Sequence, residues 1–469
     1  MIPIVEFPTI VQHYAHWFEP VFSPKALIQF KRYLSGLILS ENKTVDGINK
    51  IVVVESRNQS SLNRLLRESP FSEEDLNRQR LSLLWSLPGT RIKPKGVLSV
   101  DDTLLKHYGK NFEQIAYLFD HTEGRYVWAH SLVSLHYSDD QTDYPIYYQL
   151  WKPVDLKKLE EGLKGLGIPL RESKFHLKES DPKKWRNYLL GVWRRHQGKE
   201  EVAALYQSKL MIARNLLSKW VKEHPDLKLP VVFDNWYTQP SFCRFLDRDL
   251  DLPYVGTLSR EDKVVLKGGA ISLGEFCQKL KEEHHKALRE GGKPVFHKIG
   301  ISYKGDREIY YSYCRTHRIA NFGKQRLVIN YREEDLSDSP CIYISNRLYW
   351  QSVGISRIRR HRWPVEVYHE EGKAEGLDQY QLRDFGAISR HIAIVAVAYS
   401  LLKAAPHDEA LLKRLQREIE IELEGSVPFW RRVVRAESLW GLACFIRCGL
   451  AEGRTLEEVM APLLAAVCR

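Results

Sequence analysis

Cysteine is scarce and scattered in this sequence. Its seven copies, Cys243, Cys277, Cys314, Cys341, Cys444, Cys448 and Cys468, are odd in number and include no Cys-x2-Cys pair. Neither a disulfide framework nor a zinc site is indicated, and a reducing compartment fits best. Cys314 with His317 lacks a second pair at finger spacing and reads as an ordinary strand or turn pair. Long apolar runs are missing as well. The longest, Ile392 to Leu402, falls well short of the roughly 20 residues that cross a bilayer, so it reads as a buried core helix. The opening MIPIVEFPTIVQHYAHWFEP has no basic segment ahead of an apolar core, so no signal peptide is read there. No internal repeat or low-complexity tract stands out. The expectation is a cytoplasmic protein with no membrane partner.

What is present suits a sizeable core. Of 469 residues, 43% are hydrophobic and 28% charged, ordinary values for a globular chain. At roughly 150 residues per domain the length suggests about three domains. Lys plus Arg number 70 against 59 Asp plus Glu, a net charge of +11. The summed field therefore attracts polyanions, nucleic acid first among them, without proving such a partner.

The organisation is α/β. Apolar residues recur at helical spacing through the first 86 positions, with Ser72 before Glu73, Glu74 and Asp75 as a helix start. LPGTRIKPKG, 87 to 96, breaks the pattern as a domain junction. VLSV then ends in Asp101 and Asp102, and three or four strands follow through QIAYLF, RYVWAHSLVSLHY and YPIYYQLW. A helix crosses over at EVAALYQSKLMIARNLLSKWVKEH, and LPVVF ends in Asp234. From 259 to 350 short glycine-divided segments read as a β-rich insertion, after which helical character resumes to the C terminus.

Asp101 and Asp234 each follow an apolar run of strand length, where an α/β sheet presents polar groups at the carboxyl ends of its strands. If those strands are neighbours, the carboxylates converge and need a compensating cation. Mg²⁺ or Mn²⁺ with oxygen ligands fits, and a two-metal site for phosphodiester chemistry needs a third acid. Glu366 is the best candidate, because Arg362 lies four residues before it and Lys373 seven after, near one helical face. Arg362 and Glu366 could equally be a surface ion pair. Asp102 is the rival to Asp101, on the opposite face of a strand.

These residues carry a resemblance. The chain resembles the DDE transposases of bacterial insertion sequences, in the branch with a β-rich insertion and a Tyr-x2-Arg-x3-Glu-x6-Lys signature. Arg362, Glu366 and Lys373 keep that spacing, Asp101-Asp102-Thr103 matches the first acid's Asp-x-Thr, and VVFDNWY matches the second at Asp234. CIYISNRL resembles the strand leading to the last helix. The likeness covers roughly 97 to 402, more weakly the N-terminal helices. One departure is Arg359, which stands where the signature has tyrosine.

The resemblance implies an RNase H-like mixed sheet flanked by helices and interrupted by the β-rich insertion, with helical N- and C-terminal regions. The implied domains are a DNA-end-binding region (1–90), a catalytic core in two parts (91–258 and 351–402), the insertion (259–350) and a C-terminal region (403–469) suited to dimerisation. It implies Asp101, Asp234 and Glu366 as ligands of two Mg²⁺ ions, Mn²⁺ substituting. Water nicks the transposon end and the freed 3′-OH attacks target DNA. The partners are double-stranded DNA, as terminal inverted repeats and target, and a second copy of the chain; the location is nucleoid-associated.

Basic surfaces accompany the acids. Arg357, Arg359, Arg360 and Arg362 lead into the Glu366 helix, where phosphate contacts are expected, as they are for Lys373. Lys183, Lys184, Arg186, Arg194 and Arg195 are interleaved with Trp185, Tyr188 and Trp193, which suits either phosphates or an amphipathic helix with aromatic core. Relatives that excise through a DNA hairpin hold a flipped base on an aromatic of the insertion; Trp350 could take that role or simply be core. RLQREIEIELEG (414–425) could dimerise or pack as a surface helix. The rival functions are a transposase-derived DNA-binding protein without catalysis and a structure-specific nuclease on the same core.

Overall fold

The computed structural model describes residues 2–416 and 425–467. Its strands are β1 (Val97–His107), β2 (Ala116–Asp120), β3 (Arg125–Ser138), β4 (Asp143–Trp151), β5 (Val231–Phe233) and β6 (Tyr254–Leu258). They continue as β7 (Lys263–Leu266), β8 (Gly269–Ser272), β9 (His297–Tyr303), β10 (Asp306–Ile319), β11 (Gly323–Tyr331) and β12 (Cys341–Ser345). All join one mixed sheet in the order β2-β3-β1-β5-β6-β12-β11-β10-β7-β8, with β4 on β3 and β9 on β10.

β2 and β4 share one edge of β3, β2 pairing with Arg125 to Ala129 and β4 with Ser131 to Ser138. The strip β4-β3-β1-β5-β6 therefore has β3 as its one antiparallel strand, with β1, β5 and β6 mutually parallel. That is the RNase H-like arrangement. The stretch from 259 to 350 does not fold apart from it, because β12 pairs antiparallel with β6 and carries the same sheet outward. Nor is that stretch all β: Leu273–Arg289 is a helix. Ser272 and Glu275 form a reciprocal capping box at its start, a local signal that glycine punctuation on either side had masked.

Helix Phe385–Ala404 is the pillar of the core. It is apolar on every side and buried along nearly its whole length, as such a helix must be. Phe385–His407 is long and apolar enough to cross a membrane by composition, but 78% of its most apolar window is buried inside the protein, so here it is a core helix. Helices Pro24–Leu39, Ser60–Arg67, Glu73–Ser86 and Val427–Ala451 pack on it, together with β4. Ser72 caps Glu73–Ser86 by accepting from the Glu74 and Asp75 amides. The buried Arg80 on that helix donates to Ser400 Oγ at 2.9 Å and to the Pro145 carbonyl at 2.7 Å, joining the N-terminal helices to β4 and the pillar.

Helices Leu156–Gly165 and Pro182–His196 form a small lobe with its own core of Leu159, Leu163, Trp185, Leu189, Trp193 and Val202. The crossover is split, since Ser208 caps a fresh helix, Lys209–Glu223, by accepting from the Met211 amide. Of the segment 414–425, residues 417–424 lie outside the described residues, as does Cys468.

Candidate active site

β1 and β5 bring the first two acids together. Ser99 pairs with Val232 in parallel register, so two residues further along each strand Asp101 and Asp234 come side by side. The step of two keeps both on the face shared by Val97 and Val232. Asp101 was expected at a strand end, but β3 pairs β1 along its whole length and β1 runs on to His107. The strand that stops is β5, at Phe233, and its ending opens the site.

Asp101 is buried. Burial, reinforced by the charges of Asp234 and Asp102 and opposed by Arg362, pushes its carboxyl up to about 7. Asp102 takes a different environment, as strand alternation requires. Its carboxylate accepts from Lys209 Nζ at 2.7 Å, Tyr237 Oη at 3.0 Å and Ser131 Oγ at 3.1 Å. Burial and the acids around it raise the Tyr237 hydroxyl well above the ordinary range, so it stays a donor. The Tyr237 amide donates to Asp234 Oδ1 at 3.1 Å, fixing the turn after β5.

Glu366 arrives on helix Trp363–Ala374. The sequence from Ser352 onward looks continuously helical, yet the chain breaks between Arg360 and Trp363, because Pro364 suits a helix's first turn and not its interior. The break turns Arg362 toward the acids. Its Nη1 stands 3.3 Å from Asp101 Oδ2 and also contacts Glu366 Oε1. The elbow is pinned from β1 and β3: Ser99 Oγ donates to the His361 carbonyl at 2.9 Å, and Ser138 Oγ lies 3.0 Å from His361 Nδ1.

A cleft of about 640 Å³ opens over this floor, lined by Asp101, Asp102, Asp234, Lys106, Lys209 and Lys373 among others. Lys373 lines the same cleft as Asp101 and Asp234. In chemistry the oxygen donors suit a hard divalent cation, and the crowded, buried Asp101 is a carboxyl that such a cation would ionise. As they stand, no three His, Cys, Asp or Glu side chains among the described residues are grouped around a metal position. Arg362 Nη1 contacts both Asp101 and Glu366 and supplies a compensating charge there.

The other expected contacts are dispersed. Arg359 Nε donates to Thr257 Oγ1 at 3.2 Å, with its guanidinium over the Tyr343 ring. Arg360 pairs with Glu308 at 3.0 Å, and Arg357 with Asp140. Lys183, Lys184, Arg186, Arg194 and Arg195 are exposed on the lobe, while Trp185 and Trp193 of that helix are its core. Half-buried Trp350 packs against the apolar cluster of Val328 and Tyr343 and does not line the cleft. Cys314 and His317 lie within β10, where His317 Nε2 is 2.7 Å from Tyr313 Oη. Sequence reasoning missed Lys209 and the β2–β3 wall of the cleft; Ser208 as a cap was the one local signal for the former.

The sheet order defines an RNase H-like α/β core, with Asp101 and Asp234 in a cleft beside it. A sequence profile described as "DDE superfamily endonuclease" matches residues 18–271, more than half of the 469 residues, and the chain belongs to that family. The match includes Asp101 and Asp234 and ends before Glu366. No curated protein matches the chain. Among solved structures, a cryo-EM structure of a piggyBac transposase synaptic complex with hairpin DNA is similar with a TM-score of 0.33 and 12% identity, over 81% of this chain and 63% of that one.

Proposed function

We propose that the protein is the transposase of a bacterial insertion sequence, cutting DNA at the element's ends and joining the freed 3′-OH to target DNA. The observation that carries this reading is the register of β1 and β5, which sets Asp101 and Asp234 on one face at the mouth of a cation-lined cleft. Family membership supports it. Glu366, reached through Arg362, is the third acid.

Asp101, Asp234 and Glu366 would hold divalent metal, Mg²⁺ or Mn²⁺, which when bound activates the attacking oxygen and stabilises the leaving one. The chain's own part is to bind and orient. Lys209 and Lys373, both in the cleft lining, meet DNA phosphates, and Arg362 neutralises the acids until DNA and metal arrive. In the first step water displaces the 3′ oxygen from phosphorus. In the second that 3′-OH displaces a target 3′ oxygen in line, so one set of groups serves both. Two ends per element call for a pair of chains, acting in the cytoplasm on nucleoid DNA.

The family's own description favours a second reading, an endonuclease that cuts without joining. A strand-transfer assay separates the two: protein, Mg²⁺, pre-cleaved end DNA and a plasmid target should give covalent end–plasmid products. Cleavage of end DNA with no joined product would replace the transposase reading by the nuclease one.

A further inference from the structure

Adjoining the cleft through Phe119 is an aromatic surface that the proposed chemistry does not use. In the β2–β3 hairpin, Tyr117 pairs directly with Trp128 and Phe119 with Tyr126, so all four rings stand on one face. The rings tile. Tyr117 and Tyr126 stack at 5.4 Å between centroids, Tyr117 and Trp128 are 5.2 Å apart, and Phe119 and Tyr126 also 5.2 Å. Cross-strand aromatic pairs also stabilise a hairpin modestly. Here Tyr117 is 57% exposed, Tyr126 52% and Phe119 40%, whereas Leu118 and Ala116 on the alternate positions pack on the main core. The hairpin is held by its other face.

The surface also has a direction. Phe119 and His121, whose rings are 5.0 Å apart, line the same cleft as Asp101 and Asp234. The same cleft is lined by Trp236, 47% exposed and two residues after Asp234. Acids, lysines and exposed rings in one cleft lining combine phosphate attraction with stacking, the combination that binds single strands without reading their sequence.

We propose that the β2–β3 aromatic face is a stacking platform for unpaired nucleotides of the DNA strand leaving the acid cleft, with Phe119 and Tyr126 as its principal rings. This rests on the reading of the cleft as a DNA-cutting site. Continuity with the cleft selects this occupant over a second copy of the chain, which would have no reason to extend to Phe119 and His121 beside the acids.

The test is binding by the full-length protein in EDTA, so that no cleavage occurs, to a duplex with a short 3′ single-stranded overhang and to the blunt duplex of the same sequence. The overhang should be preferred about tenfold per stacked base. That preference should persist as salt rises, while affinity for both DNAs falls. 2-Aminopurine in the overhang should be quenched on binding to the unaltered protein, a readout that needs no variant. Phe119→Ser with Tyr126→Ser should remove the preference, and the ring-keeping pair Phe119→Tyr with Tyr126→Phe should retain it. Absence of both preference and quenching in the unaltered protein overturns the proposal. So does preference that survives the serine pair, or a serine pair that changes only self-association, which would assign the face to a second copy. If the overhang preference stands but Mg²⁺ gives no cleavage, the platform holds and the transposase reading fails.

Discussion

Lys304 Nζ lies 2.8 Å from Asp143 Oδ2, and Lys403 Nζ reaches the same oxygen from the other side at 3.0 Å. The carboxylate is buried at the start of β4. Burial pushes it up, but Lys403, His136 and Lys304 outweigh burial and hold it well below the usual carboxylate range. Lys304 sits at the β9–β10 turn with φ of 49°, and the neighbouring Tyr303 ring meets His361 edge-on at 4.7 Å. The insertion thereby grips the elbow that aims Arg362.

Asp143→Ala strands two lysines in a low-dielectric site. The loss should be about 3–5 kcal/mol, because breaking a buried pair leaves uncompensated charge. Chemical denaturation measures it. Lys304→Met should cost less and should couple to Asp143→Ala in a double-mutant cycle, the pair losing less than the sum of the singles.

Asp101→Ala, Asp234→Ala and Glu366→Ala should each lower Mg²⁺-dependent cleavage of end DNA by at least about a hundredfold, on the scale of removing one electrostatic contributor to a transition state. Binding of end DNA should remain largely intact. Full cleavage in any one variant takes that residue out of the set. Asp102→Asn should be milder, since its oxygens are already satisfied by Lys209, Tyr237 and Ser131.

Arg362→Gln removes the guanidinium between Asp101 and Glu366. Mn²⁺ should then bind more tightly without DNA, because a competing cation has gone, while strand cleavage falls. Calorimetric titration with Mn²⁺ gives the first quantity and gel assay of nicked product the second. Unchanged Mn²⁺ affinity would mean that Arg362 does not compete for the acids.

His391 Nδ1 is 2.8 Å from Tyr33 Oη and Nε2 is 2.8 Å from the Gly376 carbonyl, so the ring is satisfied when neutral. Burial lowers it to about 4. The unfolded chain, at an ordinary value near 6.5, binds the proton first; stability is complete above that value and is lost as pH falls toward 4. The loss should be on the order of 3 kcal/mol. His391→Gln should flatten the acid side of a plot of denaturation midpoint against pH.

Much of the fold was legible wherever the cause was local. Ser72 as a cap, the apolar runs of β1 and β5, and the all-apolar helix around Ile392 follow from neighbouring residues. The neighbouring positions of Asp101 and Asp234 follow from the same kind of cue, since each comes after an apolar run. What escaped depended on partners distant in the chain: β1 continues past Asp101 because β3 lies beside it, and Lys209 enters the cleft because its helix starts afresh at Ser208. Arginines 357 and 360 looked available for phosphate, and their acidic partners, Asp140 and Glu308, come from turns and strands that no spacing rule connects to them.

The continuity of the sheet bears on how the protein can be handled. The family match stops at residue 271, inside β8, yet the outer edge of β6 is covered by β12, formed by Cys341–Ser345. A fragment trimmed to the matched span would keep two acids and bare a row of unpaired amides and carbonyls on a buried strand, an invitation to aggregate. Expression should therefore keep 272–345 attached.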